Sequence, residues 1–227
     1  MSPVVRSVVG RLIAKDVYLR RWLIAGALAS GVASLALTGR GGEEGGFDPG
    51  FLLFLTTMIV FGIFVPMLGI FKERQDRSQL FVLSLPVSPG QYAISKVVAA
   101  LVVFLGPWLV LTVGVVALTL ASDRPDGGLP FFTATMGFLL ALFCTLTALV
   151  AITSSETWAI AGILATNVSV TPFLAYLGRL PGVGGRGQEA AAIWSVETVT
   201  VLALEGLWIL LALGLAVWLP TRRRDVV

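Results

Sequence analysis

The chain has 227 residues, of which 56% are hydrophobic and 13% charged, with a formal net charge of +3. That balance is far from a water-soluble domain and leaves little chain for a soluble active site. With no histidine and one cysteine, Cys144, it excludes an intrachain disulfide, an H-E-x-x-H zinc-protease motif and a Cys/His metal cluster.

Residues 3–20 read as an amphipathic helix. Val4, Val5, Val8, Val9, Leu12 and Ile13 fall on one face, with Arg6, Arg11 and Lys15 opposite, the pattern of a helix lying in the membrane interface. A cleaved signal peptide reaching Ser34 has the right basic start and small residues, but this amphipathic segment argues against it. Six apolar stretches follow, at 22–38, 51–71, 93–122, 129–154, 157–178 and 198–219. At ~1.5 Å per residue they suit a hydrocarbon core of ~30 Å. They lack the period-two alternation of a barrel wall, and Leu, Ala and Gly fill them. The expected fold is all-α: a single polytopic membrane domain of six transmembrane helices, with an N-terminal interfacial helix.

The first two gaps differ in character. The outer one, with the glycine run 41–46, lacks the Lys-Ser/Thr pair of a phosphate-binding loop, as does the later run 182–187; both read as flexible connectors. The gap after span two, residues 72–90, begins with Lys72-Glu73-Arg74-Gln75-Asp76-Arg77, continues through Leu80, Phe81, Leu83 and Leu85, and stops at Pro86. Pro86 and Pro89 withhold helical donors and bias their predecessors away from helix. Ser88-Pro89-Gly90 then starts the next helix, with Lys96 as its interfacial anchor. The picture is a short amphipathic helix on the cytoplasmic surface between two spans, whose charged first turn can meet a soluble partner. A solvated connector that only obeys the positive-inside rule is the plain alternative.

Further along, Pro66 and Pro107 kink spans two and three, and the short gap at 154–156 carries Glu156, which also suits a first-turn acid favoured by the helix dipole. Span five holds Asn167, Ser169, Thr171 and Pro172. Residues 179–197 are too polar to span, and Gln188–Trp194 suits a short outer helix with Trp194 at the interface. Glu205 admits two placements. A span starting at Thr198 puts it ~10 Å into the helix, where an ionisable group faces a bundle interior or a wet cavity. A later start, near Gly206, leaves it at the headgroups, free to pair with Arg179 or Arg186; this second placement is the favoured one.

Lys and Arg set the threading. Twelve of the sixteen lie in the N-terminal segment, the 72–96 gap and the tail, all on one side if six spans cross. The other side holds four, against seven acids. Both termini are therefore expected in the cytoplasm of a cell-membrane protein. The positive charge is spent on topology and implies no nucleic acid.

Glu73, Arg74, Leu83, Leu85-Pro86-Val87-Ser88 and Lys96 follow one another in an order that resembles the membrane subunits of type-2 ATP-binding-cassette permeases. In that family a turn opening with Glu, a leucine-rich stretch, Leu-Pro-[Val/Ile]-Ser, a spacer and a Lys opening span three recur. Pro89-Gly90 departs from the basic or polar residue that usually follows the Ser. The N-terminal helix with Ala14-Lys15-Asp16, the six spans and Ser154-Ser155-Glu156 also have counterparts. The resemblance implies a homo- or heterodimer of six-span subunits bound to two cytosolic ATPase subunits, with ATP and magnesium on those partners and no cofactor in this chain. It implies export of a hydrophobic or amphipathic substrate (lipid, peptide or drug) and coupling through the inner loops. The coupling residues would be Glu73, Arg74, Asp76 and Arg77, with Glu156 in the second loop. Spans two and five would flank the translocation path, so that Asn167, Pro172 and Glu205 are path candidates; hydrogen bonding between helices explains the polar groups equally well. An ATP-independent channel or secondary transporter, or a non-transporting anchor for a soluble partner, is the alternative. With no catalytic motif visible, the chain is not expected to be an enzyme itself.

Overall fold

The computed structural model describes residues 3–38, 48–72, 89–121, 125–153, 155–181, 183–184, 189 and 191–222. The described residues form seven α-helices: α1 (Pro3–Leu19), α2 (Arg21–Leu37), α3 (Pro49–Pro66), α4 (Pro89–Ala121), α5 (Leu129–Ile152), α6 (Glu156–Arg179) and α7 (Val196–Arg222). A π-helical turn, Met67–Phe71, extends α3, and a 3-10 turn, Asp126–Gly128, leads into α5. Five helices are long and apolar enough to cross a membrane: Pro49–Phe71, Gly90–Ala121, Asp126–Ile152, Glu156–Arg179 and Val196–Leu219. The chain is a multi-pass, all-helical membrane protein. α2 is apolar but has only 17 residues, about 26 Å of helix.

Local chemistry sets the helix ends. Asp48 caps α3, its Oδ1 accepting from Gly50 N at 2.8 Å, with Pro49 at the first helical position. Ser195 caps α7: its Oγ accepts from Thr198 N at 3.2 Å. α7 therefore begins at Val196, well before Gly206. Residues 191–195 are not helical, which corrects the outer helix expected over Gln188–Trp194. The π turn follows Pro66 directly; proline removes one backbone donor, and the ladder resumes with wider spacing.

α5 is the centre of the bundle. It is the most buried of the long helices and packs against α7, α6, α3 and α4. Phe61 of α3, Phe104 of α4 and Phe143 of α5 stack in series, with ring centroids 5.7 and 4.0 Å apart. Trp108 Nε1 donates to Met136 O at 3.2 Å, and Trp208 Nε1 to Thr145 Oγ1 at 2.8 Å. These bonds tie α4 and α7 to α5.

α1 packs on α4. In its second half Asp16 is buried, with Leu12, Ile13 and Val17 half-buried beside it, and Arg11, Lys15, Tyr18 and Leu19 are exposed.

Candidate functional site

Residues 73–88, with the coupling candidates Glu73, Arg74, Asp76 and Arg77, lie outside the described residues. Their two points of attachment are described, and both are held by α1 through buried charge. Lys96, in the second turn of α4, donates from Nζ to Asp16 Oδ2 at 2.7 Å, with side chains 5% and 2% exposed. Arg20, one turn after Asp16, is likewise buried and lays its guanidinium against Gly69 in the π turn. A β-carbon at position 69 would occupy the space that the guanidinium fills. One segment of α1 thus grips the exit from α3 and the entry to α4.

Among the described residues the knot joins one carboxylate and two cations, and Asp16 Oδ1 and Arg20 Nη1 have no hydrogen-bond partner. Desolvating such groups is costly, so the pair contributes position more than net stability. Sequence reading singled out Lys96 as an interfacial anchor and did not link it to Asp16, 80 residues away. A signal existed: Asp16 is the only acid before Glu43, inside a segment that is otherwise basic.

The second inner connection, Thr153–Ser155, is short. Thr153 Oγ1 accepts from Ser155 N at 3.1 Å, and Glu156 opens α6 in an exposed position.

The path candidates do not converge. Asn167 is exposed on α6 and its Nδ2 donates back to Ile163 O at 2.8 Å. Pro172, on the same helix, is exposed. Glu205 is buried at 7% exposure, packed on Gly137 of α5, and neither carboxylate oxygen has a hydrogen-bond partner. Its favoured placement, near the start of span six and paired with Arg179 or Arg186, is corrected. α7 starts nine residues earlier and carries Glu205 onto α5, while Arg179 ends α6, exposed, and Arg186 lies outside the described residues. A small apolar crevice of about 20 Å³, lined by Met58, Ile63, Leu139, Leu142, Leu146 and Thr166 among others, lies between α3, α5 and α6.

Among the described residues no group of His, Cys, Asp and Glu side chains comes together to hold a metal ion. What the arrangement provides is a buried contact that joins the end of α1 to Gly69 after α3 and to Lys96 at the start of α4. No curated protein and no solved structure matches the chain. Residues 11–221 match the family model described as ABC-2 family transporter protein, and the chain belongs to that family, whose members are membrane subunits of ATP-binding-cassette transporters.

Proposed function

We propose that the chain is the permease half of an ATP-driven exporter of the cell membrane. It moves a hydrophobic or amphipathic substrate, and cytosolic ATPase subunits binding ATP and magnesium supply the energy. The observation that carries this reading is the family match from Arg11 to Thr221, which takes in all five long apolar helices and α2. In the working particle two such permeases, identical or paired, meet two ATPases. α2 is the remaining span of six, and both termini lie in the cytoplasm.

The coupling element is the segment 72–90. Glu73, Arg74, Asp76 and Arg77 make charge-assisted contacts in a groove of the ATPase, and Glu156 provides a second, smaller contact. The buried grip of α1 on Gly69 and Lys96 supports this role, since a lever needs both of its ends fixed to the moving body.

The test is co-expression with an ATPase encoded beside this chain, followed by purification and export assays. Joint charge reversal, Glu73→Arg with Arg77→Glu, is expected to lower export and ATPase retention at least roughly tenfold, with membrane insertion unchanged. Export at the unmodified rate in that double variant would overturn the coupling assignment. A purified particle that never contains an ATPase would overturn the function.

A further inference from the structure

Around the α1–α2 junction the chain presents a face that the bundle does not use. The helical ladder breaks at Arg20 (φ −101°, ψ 10°), where α1 ends and α2 begins. Arg11, Lys15 and Tyr18 fall in one stripe of α1, at spacings of four and three residues, and Trp22 follows in the first turn of α2. All are exposed, Tyr18 at 62% and Trp22 at 76%, with Leu19 beside them at 63%. Arg21 lies across the end of this stripe. Its guanidinium carbon is 4.3 Å from the Tyr18 ring centroid and 5.6 Å from that of Trp22.

We propose that this face is a docking site for the anionic headgroups of phospholipids in the leaflet on the N-terminal side. Three features favour that occupant. The face carries Arg11, Lys15 and Arg21 with no ion pair among the described residues. Among the described residues the nearby acid is Asp16, which is buried and bonded to Lys96. The position is a bilayer edge: from Trp22 onward α2 is uncharged, so hydrocarbon begins about one turn beyond Arg21, and Tyr18 and Trp22 sit at the depth where such rings partition. Finally, Arg21 is prepared. Stacking on two rings fixes a planar, weakly hydrated cation and leaves its edge donors free for bidentate contact with a phosphate. An acidic soluble protein would satisfy the cations but leave Trp22 and Leu19 half in water, whereas a lipid surface takes both.

The site rests on the proposed reading of α2 as a span. The full chain, purified in detergent with its ATPase and stripped of lipid, is titrated with dioleoylphosphatidylglycerol or dioleoylphosphatidylcholine, and retained lipid is counted by native mass spectrometry. The parent protein is expected to prefer the anionic lipid. Arg21→Gln lowers its retention roughly fivefold, and Arg21→Gln with Lys15→Gln lowers it further, at about one such factor per cation. Arg21→Lys keeps only part of the preference, since it retains the charge but loses the ring-stacked bidentate contact. Phosphatidylcholine retention stays level in every variant. Excess inorganic phosphate displaces no more lipid than chloride at matched ionic strength.

Equal phosphatidylglycerol retention by parent and double variant overturns the proposal. Selective displacement by free phosphate overturns it too, in favour of a soluble-anion site. Lost ATPase with lipid retention intact reassigns the face to the protein partner. Should the variants fail to fold, the parent alone decides, since a parent without lipid preference ends the idea. A chain that prefers the anionic lipid but never holds an ATPase sinks the proposed function and leaves the headgroup site standing.

Discussion

Asp16 and Lys96 sit 2.7 Å apart with almost no water at either side chain, which makes their loss asymmetric. Removing Lys96 strands the buried Asp16 carboxylate, so Lys96→Met is expected to cost about 3 kcal/mol, and Asp16→Leu alone also destabilises the chain. Removing both, in Asp16→Leu with Lys96→Met, recovers much of that loss. Thermal unfolding of the purified chain across this double-mutant cycle measures the coupling; additive losses would mean that the two residues act separately. Gly69 carries a related expectation. A methyl group there meets the Arg20 guanidinium, so Gly69→Ala destabilises the chain, and shortening the neighbour in Gly69→Ala with Arg20→Ala relieves most of the damage. Glu205 separates structure from transport. Glu205→Gln keeps the shape of the side chain against Gly137 and removes a potential charge that has no partner. Protein level is therefore expected to hold or rise. Export lost at normal abundance assigns Glu205 to the path, and export retained assigns it to the α5–α7 seam. None of these contacts was legible in the sequence, because they join residues brought together only by packing. The sequence did expose the oddities that demand partners, namely a lone acid among cations and a carboxylate within an apolar run.

Among the elements, the apolar periodicity of 51–71, 129–154 and 157–178 marked helices within a few residues of those observed. Burial in hydrocarbon and in protein demands the same composition, so such runs are easy to locate. The same equivalence bears on α1. Leu12, Ile13 and Val17 form an apolar stripe whether a membrane or α4 covers it, and periodicity does not say which. The start of α7 was legible: the apolar stretch was expected from Thr198, two residues after the observed Val196, and Ser195 stands three residues before Thr198 in a capping arrangement. Ser195→Ala is expected to cost about 1 kcal/mol of stability through the lost cap, read as a lower unfolding midpoint with export per molecule unchanged. A midpoint equal to that of the parent would mean that packing on α5 alone sets the helix start.

At the scale of the whole molecule, everything turns on whether α2 crosses the membrane, because parity fixes which loops share a compartment. Five long helices without α2 place the N-terminal segment and the C-terminal tail on opposite sides; with α2 they lie together. The charge distribution favours the second arrangement. The N-terminal segment, the 72–96 gap and the tail hold twelve of the sixteen basic residues, and a topology that split them would violate the bias that orients such proteins. At about 26 Å, α2 is slightly short for ~30 Å of hydrocarbon, a mismatch that local thinning absorbs at modest cost. Cysteine labelling can decide it cleanly, because Cys144 is wholly buried and contributes little background. Single cysteines at Ser2, Gly42, Ser78 and Ser122 are the informative set. With α2 as a span, Gly42→Cys and Ser122→Cys react with an impermeant maleimide in intact cells, and Ser2→Cys and Ser78→Cys react only after permeabilisation. With α2 confined to one side, Ser2→Cys and Gly42→Cys label alike and opposite to Ser78→Cys. That outcome would move the 73–88 segment and the N-terminal helix into different compartments. The buried contacts of Asp16 with Lys96 and of Arg20 with Gly69 favour the first outcome, because they bring the end of α1 to the residues that flank the 73–88 segment.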